Sequence, residues 1–330
     1  MAEMDMKSPI DISEVIGAVR EHQDLLTALD AEDAASVLQH FTPIPGVKDS
    51  IVLGRTTLMK ISRKYTGQFI GSKEAGKIVP RTLTVHPCVM EMDDEPERYR
   101  RTYITEVAGG LNPESHPFEI WLINYGIKCA SQELHDVIMI ADLNSEQSEL
   151  KDSFDGVGTI LMDEKTATNI SAEKGNMITT EEFSRANIGD ELLKIYRNMP
   201  NTFRNKTDIK MFLSSDLGDM YDDWLADQGV FVLGSNAETA DTKYLRNTKG
   251  KVELIRLTNL PEGSQLVILT TKQNICYGYD EPSDFSSLTP FNSGNPYHFT
   301  AAGKYVLGFQ FVSLDKSELC INDKPLTPAD

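Results

Sequence analysis

Asn205 to Asp280 decides the fold: NKTDIKMFLSSDLGDMYDDWLADQG (205–229), a polar connector, then KVELIRLTNLPEGSQLVILTTKQNICYGYD (251–280). Ile209, Met211 and Leu213 alternate, as in a strand. Ser214 and Ser215 follow, and a short hydroxyl at either position satisfies an orphan N–H at a helix start. Asp216 and Asp219 put negative charge in the first turn, where the helix dipole favours it. Leu217, Tyr221 and Trp224, with Leu225 beside them, share one helical face, and Gly229 stands where a helix stops. Val230 to Leu233 opens a strand. Lys251–Leu257 and Gln265–Thr271 add two more, joined by a turn at Pro261-Glu262-Gly263. The stretch predicts a small mixed-sheet unit whose core is centred on Tyr221 and Trp224, with no reaction centre of its own.

With 330 residues the chain can bury a large core and divide into two or more units. A net charge of −18 argues against general nucleic-acid binding, which needs lysine and arginine. Cys88, Cys129, Cys276 and Cys320 lack the paired spacing of a metal or disulfide framework, which fits a reducing compartment. The acidic N-terminus does not read as a signal peptide, and no apolar run is long enough to span a membrane.

The chain opens as a helical arm, residues 1–50. Ser8-Pro9 starts a helix with Ile12, Val15, Ile16, Val19 and Leu26 at helical spacing, and Asp30 restarts a second with Val37, Leu38 and Phe41. Pro43-Ile44-Pro45-Gly46 reads as a linker. From Ile51 the pattern is β: alternation around Thr57–Ile61 and Arg81–Val85 flanks the polar, glycine-rich GQFIGSKEAGKIVP, which predicts a long two-stranded ribbon within residues 51–110. Such a ribbon is marginal alone and needs a surface to lie on. Further on, Ser131, Leu134, Val137, Ile138 and Ala141 predict an amphipathic helix. Thr179 and Glu182 look like a capping box before Ile188, Leu192, Ile195 and Met199. Tyr305, Leu307, Phe309 and Phe311 form a late strand that turns at Asp315-Lys316-Ser317 into a terminal hairpin.

Charge is unevenly spread. Residues 54–81 hold Arg55, Lys60, Arg63, Lys64, Lys73, Lys77 and Arg81 against a single acid, Glu74. Residues 130–164 reverse this, with Glu133, Asp136, Asp142, Glu146 and Glu149 among the acids and Lys151 the one base. Residues 214–241 add further acids and no base. Basic ribbon and acidic plate can neutralise each other within a chain or head to tail between copies, where such complementarity sets register.

Little in the sequence points to catalysis. Gly71-Ser-Lys73-Glu-Ala-Gly76-Lys77-Ile78 has the spacing of a phosphate-binding loop, which would make the chain a nucleotide-binding enzyme. Ile78 stands where serine or threonine should hold magnesium, however, and the flanks read as strands. No histidine pair has metalloprotease spacing, no nucleophile elbow exists, and no cofactor or metal site is expected.

The order of segments resembles the tailed-bacteriophage major capsid proteins of the Hong Kong 97 type. The resemblance is carried by the serine-capped helix with Tyr221 and Trp224, by Thr271-x-x-Asn274-Ile275-x-x-Gly278-x-Asp280, and by Phe118–Lys128 with Phe154-Asp155-Gly156. It implies an α+β fold with a helical N-terminal arm (1–50) and an extended hairpin loop (51–110). A peripheral domain (111–190 with 291–330) and an axial domain (191–290) complete it. It also implies hexamers and pentamers closing an icosahedral shell around double-stranded DNA without sequence-specific contacts, assembled in a bacterial cytoplasm and resident in the virion. Portal, scaffolding and decoration proteins are the partners it brings. An encapsulin-like nanocompartment shell and a tail tube are the structural alternatives. One departure from the family pattern is that the helix at Ser131 is short where a long spine helix is expected.

Overall fold

The computed structural model describes residues 32–58, 64, 76–109, 111, 117–228, 243–291, 295 and 297–327. Helices and strands are mixed, and the strands form two five-stranded sheets and a separate ribbon.

The first sheet is built on β11 (Phe299–Phe311), whose residues Phe299, Ala301, Tyr305, Leu307, Phe309 and Phe311 are buried. It pairs antiparallel with β4 (His86–Asp94) from Phe299↔Asp94 to Leu307↔His86. It then changes partner to β9 (Ile275–Gly278), from Gly308↔Gly278 to Phe311↔Ile275. Strands β1 (Thr42–Ile44) and β10 (Thr289–Phe291) complete the sheet. Across this core lies α3 (Phe118–Val137), 20 residues and so about 30 Å long. The sequence expectation started this helix at Ser131. Its first half, FEIWLINYGI, is apolar on nearly every side, so no 3.6-residue period shows, and Pro117 occupies the N-cap. The helix expected to be short is therefore the second half of a 20-residue one.

Of the arm expected over residues 1–50, residues 32–50 are described. Helix α1 (Glu32–Leu38) packs on α3, and Ala34, Val37 and Phe41 join the main core. The supposed linker at Pro43 is β1, pairing parallel with β9; an edge strand tolerates proline because its N–H is not needed. The predicted helix over 8–26 lies outside the described residues.

The second sheet runs β5 (Met177–Ile178), β12 (Leu319–Asn322), β8 (Ile268–Thr271), β6 (Ile209–Ser214), β7 (Val252–Leu257). Alternation sends Ile209, Met211, Leu213, Leu254, Leu269 and Cys320 to one core with α5 (Ile188–Asn198) and α7 (Ser215–Asp227). Phe212, Ile255, Leu257, Ile268, Leu319 and Ile321 face the other way, into the main core. The expected turn forms, with Gly263 at φ 73° and Ser264 N–H donating to Pro261 O, but β6 lies between the two strands it joins. The strand expected at Val230–Leu233 falls outside the described residues.

The terminal hairpin does not form: β11 and β12 belong to different sheets. Asn274 holds the crossing, its amide donating to Ser313 O and to Thr270 Oγ1 while its Oδ1 accepts from Ser313 N–H. The capping box at Thr179 is also absent. Thr180 instead donates N–H and hydroxyl to Asp323 Oδ1, and α5 starts after Asn187. These crossings place 275–278 in the first sheet and 319–322 in the second. Helices α2 (Glu97–Ala108), α4 (Val157–Thr166) and α6 (Asn201–Arg204) had no counterpart in the sequence reading.

Strands β2 (Ser50–Leu58) and β3 (Gly76–Thr84) form the ribbon, in register from Ser50↔Thr84 to Leu58↔Gly76. It ends there and does not reach residue 110: after Thr84 the chain enters β4 and then α2.

Candidate inter-subunit surface

Burial fades along one face of the ribbon. At its root Leu83 is fully buried and packs with Leu53, Val47, Val85 and Cys276. Farther out on the same face, Val79 is 50% exposed. On the opposite face Val52 is 65% exposed. With Ile51, 39% exposed opposite Leu83, three apolar side chains of the ribbon meet solvent.

The ribbon is clamped by two of the seven predicted contact bases, Arg81 toward its root and Arg55 opposite Val79. Arg55 pairs with Glu318 at 2.7 Å, and Glu318 also holds Lys206 at 2.5 Å. Arg81 donates through Nε to Phe311 O (2.9 Å) and through Nη2 to Glu164 Oε1 (2.6 Å) and Gln310 Oε1 (2.7 Å). Both were expected to reach a neighbouring copy; the structure spends them within the chain. Glu318 and Glu164 were missed as their partners because pairs so distant in sequence leave no local signal. Of the other five bases, Lys64 is exposed and Lys77 stands opposite Thr57 in β3, while Lys60, Arg63 and Lys73 lie outside the described residues. From Gly76 the phosphate-loop candidate continues as a paired strand, whereas a phosphate loop opens a helix. Its residues Gly71 to Ala75 are outside the described set.

The acidic counter-surface is exposed throughout: Glu133 and Asp136 on α3, and Asp142, Glu146 and Glu149 on the loop beyond it. That loop folds back on itself, Asp142 N–H donating to Lys151 O and Asn144 N–H to Asp152 O. Glu149 meets Lys151 at 2.6 Å and Asp136 meets His135 at 3.1 Å. Among the described residues no ion pair engages Glu133, Asp142 or Glu146. The acids of α7 differ: Arg185 takes Asp223 and Asp227, and Arg256 takes Asp219 and Asp222.

Tyr221 and Trp224 are core residues, as their spacing predicted. Ser214, the cap, accepts from Leu217 N–H at 3.3 Å. The two rings stack at 5.9 Å, Tyr221 Oη accepts from Arg246 N–H, and Trp224 covers Gly189 of α5. Burial raises the Tyr221 hydroxyl above its ordinary pKa and pushes the Cys88, Cys276 and Cys320 thiols up to about 11. Among the described residues no cluster of metal-ligating side chains occurs and no helix is long and apolar enough to cross a membrane.

With a clamped ribbon, a long helix and two sheets interlocked by exchanged strands, the chain has the fold of phage capsid proteins. It is similar to a chain of the satellite phage P4 procapsid that includes the size determination (Sid) protein. That match has 12% identity and a TM-score of 0.54, over 93% of this chain and 99% of that one. A chain of the cyanophage A-1(L) capsid matches at 10% identity and TM-score 0.54 over 90% and 93%. One from the capsid of a native GTA particle matches at 11% and 0.53 over 90% and 98%. No protein-family model and no curated protein matches the sequence.

Proposed function

We propose that this chain is the non-catalytic major capsid protein of a tailed double-stranded DNA phage or prophage. Copies assemble through hexamers and pentamers into an icosahedral shell, in the bacterial cytoplasm, and remain in the virion. The ribbon is the extended loop, laid on the next copy so that Lys60, Arg63, Lys64, Lys73 and Lys77 meet acids such as Glu133, Asp142 and Glu146. The observation that carries this reading is the ribbon on which Ile51, Val52 and Val79 meet solvent while Arg55 and Arg81 hold it to its own chain. The first sheet with α3 fits a peripheral domain, and the second sheet with α5 and α7 an axial one. DNA is enclosed without sequence-specific contacts; portal, scaffolding and decoration proteins are the partners such a shell calls for.

Negative-stain electron microscopy of the purified protein tests the reading: closed shells or capsomers are expected, and a monomer at every concentration overturns it. Nucleic acid inside the particles separates a genome container from a protein-cargo shell. Reversing Arg63 and Lys64 to glutamate should weaken assembly more than subunit stability. Normal shells from that variant at every salt concentration would remove the electrostatic contact.

A further inference from the structure

Asp49 O accepts from Val85 N–H, so in the register of the ribbon the odd-numbered residues of β2 and β3 make the hydrogen bonds of the ladder. Ser50, Val52 and Gly54 then turn N–H and C=O to the outer side of β2, as Pro80, Thr82 and Thr84 do on β3. The two outer edges differ. On β3, Pro80 has no N–H to offer and Thr82 O accepts from Gln310 Nε2 at 3.0 Å. On β2 there is no proline, and among the described residues no hydrogen bond reaches the outward groups of Val52 or Gly54. An edge left open while its twin is blunted is a template for another strand.

A second open edge lies in the first sheet. Strand β4 pairs with β11 and, among the described residues, with no other strand. It is nine residues long, as β2 is. Val52 and Val89 of β4, 65% and 61% exposed, are the two most exposed large aliphatic side chains among the described residues. Charge is complementary as well: β4 carries Glu91, Asp93 and Asp94 and no lysine or arginine, while residues 54–81 hold the basic run. Glu133 of α3 borders the same groove as Val89 and Glu91. The two edges cannot meet within one chain. Strand β3 runs into β4 through Val85 alone, and β2 is paired with β3 along its whole length.

We propose that the outer edge of β2 adds to the free edge of β4 in a second copy, making one sheet across two subunits. The inference rests on the shell reading and names the strand on which the ribbon is laid. Main-chain hydrogen bonds hold the contact, while Val52 beside Val89 and bases beside Glu91 and Asp93 select it. A ribbon seated there also lies next to Glu133. The two edges are different surfaces, so the contact runs head to tail and can close into a ring.

Hydrogen exchange read at single amides of the full natural chain tests the pairing. In dilute subunit, Val52 and Gly54 N–H should exchange fast, while Leu53 and Arg55 N–H, bonded within the ladder, should be slow. In assembled particles Val52, Gly54 and those amides of β4 that are fast in the subunit should all slow several-fold. Val52→Pro removes one outward N–H and leaves the ladder whole. It should raise the concentration needed for assembly several-fold above that of Val52→Ala, with the subunit still folded by circular dichroism. Equal effects of the two variants would assign the contact to the side chain and overturn the pairing. Particles in which Val52 and Gly54 stay fast, or slow while β4 does not, overturn it too and leave the shell reading standing. A chain that stays monomeric at every concentration overturns both.

Discussion

Gly308 and Gly278 stand opposite each other where β11 changes partner from β4 to β9. The ribbon root crosses above them, and the two glycines leave the gap it fills. A Cβ on Gly308 would lie 2.0 Å from Thr84 O and 3.1 Å from Val85 Cα, both backbone atoms. No rotamer relieves that overlap, so Gly308→Ala must displace β3 or β11. Overpacking costs about 1–3 kcal/mol, and a clash with backbone belongs at or above the top of that range. A Cβ on Gly278 meets only side-chain ends, Leu83 Cδ2 at 2.5 Å and Val85 Cγ1 at 2.9 Å, which can turn aside. Gly278→Ala should therefore cost about 1–2 kcal/mol. Urea unfolding followed by circular dichroism distinguishes them. With a slope of about 3 kcal/mol per molar, Gly308→Ala lowers the midpoint by about 1 M and Gly278→Ala by about half that. An unchanged midpoint for Gly308→Ala, or a larger loss for Gly278→Ala, would refute the crossing argument.

Two further outcomes follow from the buried polar and sulfur groups. Arg81 and Glu164 are only 14% and 18% exposed, so Arg81→Met takes a donor from Glu164, Phe311 O and Gln310 Oε1, although Glu164 keeps Asn169 Nδ2 and Gln310 Oε1 keeps Phe311 N–H. Hydrogen bonds to charged groups are worth about 1.5–3 kcal/mol each, and partial exposure of this pair keeps the net loss to about 2–4 kcal/mol. Thermal unfolding measures it, and Arg81→Lys should recover less than half because a lysine cannot reproduce the fork. Cys88, Cys276 and Cys320 hold their protons more tightly folded than unfolded, since burial moves them from 9.0 to about 11. Their contribution to stability is therefore intact below about 9 and declines as pH rises toward about 11. A disulfide reagent at mildly alkaline pH should label exposed Cys129 first and the other three only on unfolding. Simultaneous labelling of all four in the native protein would contradict their burial.

Where the signal was local, the sequence was readable. The alternation of β6, the hydroxyl of Ser214 and the spacing Leu217–Tyr221–Trp224 each act within a few residues, and each forms as read. The ribbon was visible because its tip is polar and rich in glycine between alternating flanks. Helix α3 was half hidden for the opposite reason: Phe118 to Ile127 bury themselves on several sides, and a helix buried all round has no stripe to show. The failed terminal hairpin turns on Asn274, one amide reaching residues far along the chain. Charge was the weakest guide to the surface. Arg55 and Arg81 look like Lys64 in the sequence, yet two are structural clamps and one is exposed, because sequence gives a charge its position along the chain and not its distance from a partner.

The clamps change what the proposed contact between copies requires. With Arg81 and Arg55 engaged within the chain, the direction of the described part of the ribbon is set before a neighbour arrives, which lowers the ordering cost of binding. Of the charges left for the neighbour, Lys64 is exposed, and exposed pairs contribute about 0–1 kcal/mol each. Apolar burial contributes about 25 cal/mol per Å², so covering residues such as Val52 and Val79 outweighs any single one of these ion pairs. In the proposed shell, charge therefore governs how fast and in which register copies meet, and apolar burial governs how firmly they stay. Raising salt should slow shell formation steeply while leaving formed shells intact. Replacing Val79 with serine should do the reverse, sparing the initial rate and loosening the finished particle. Dissociation of finished shells on adding salt would place the binding energy in the charges and reverse this assignment.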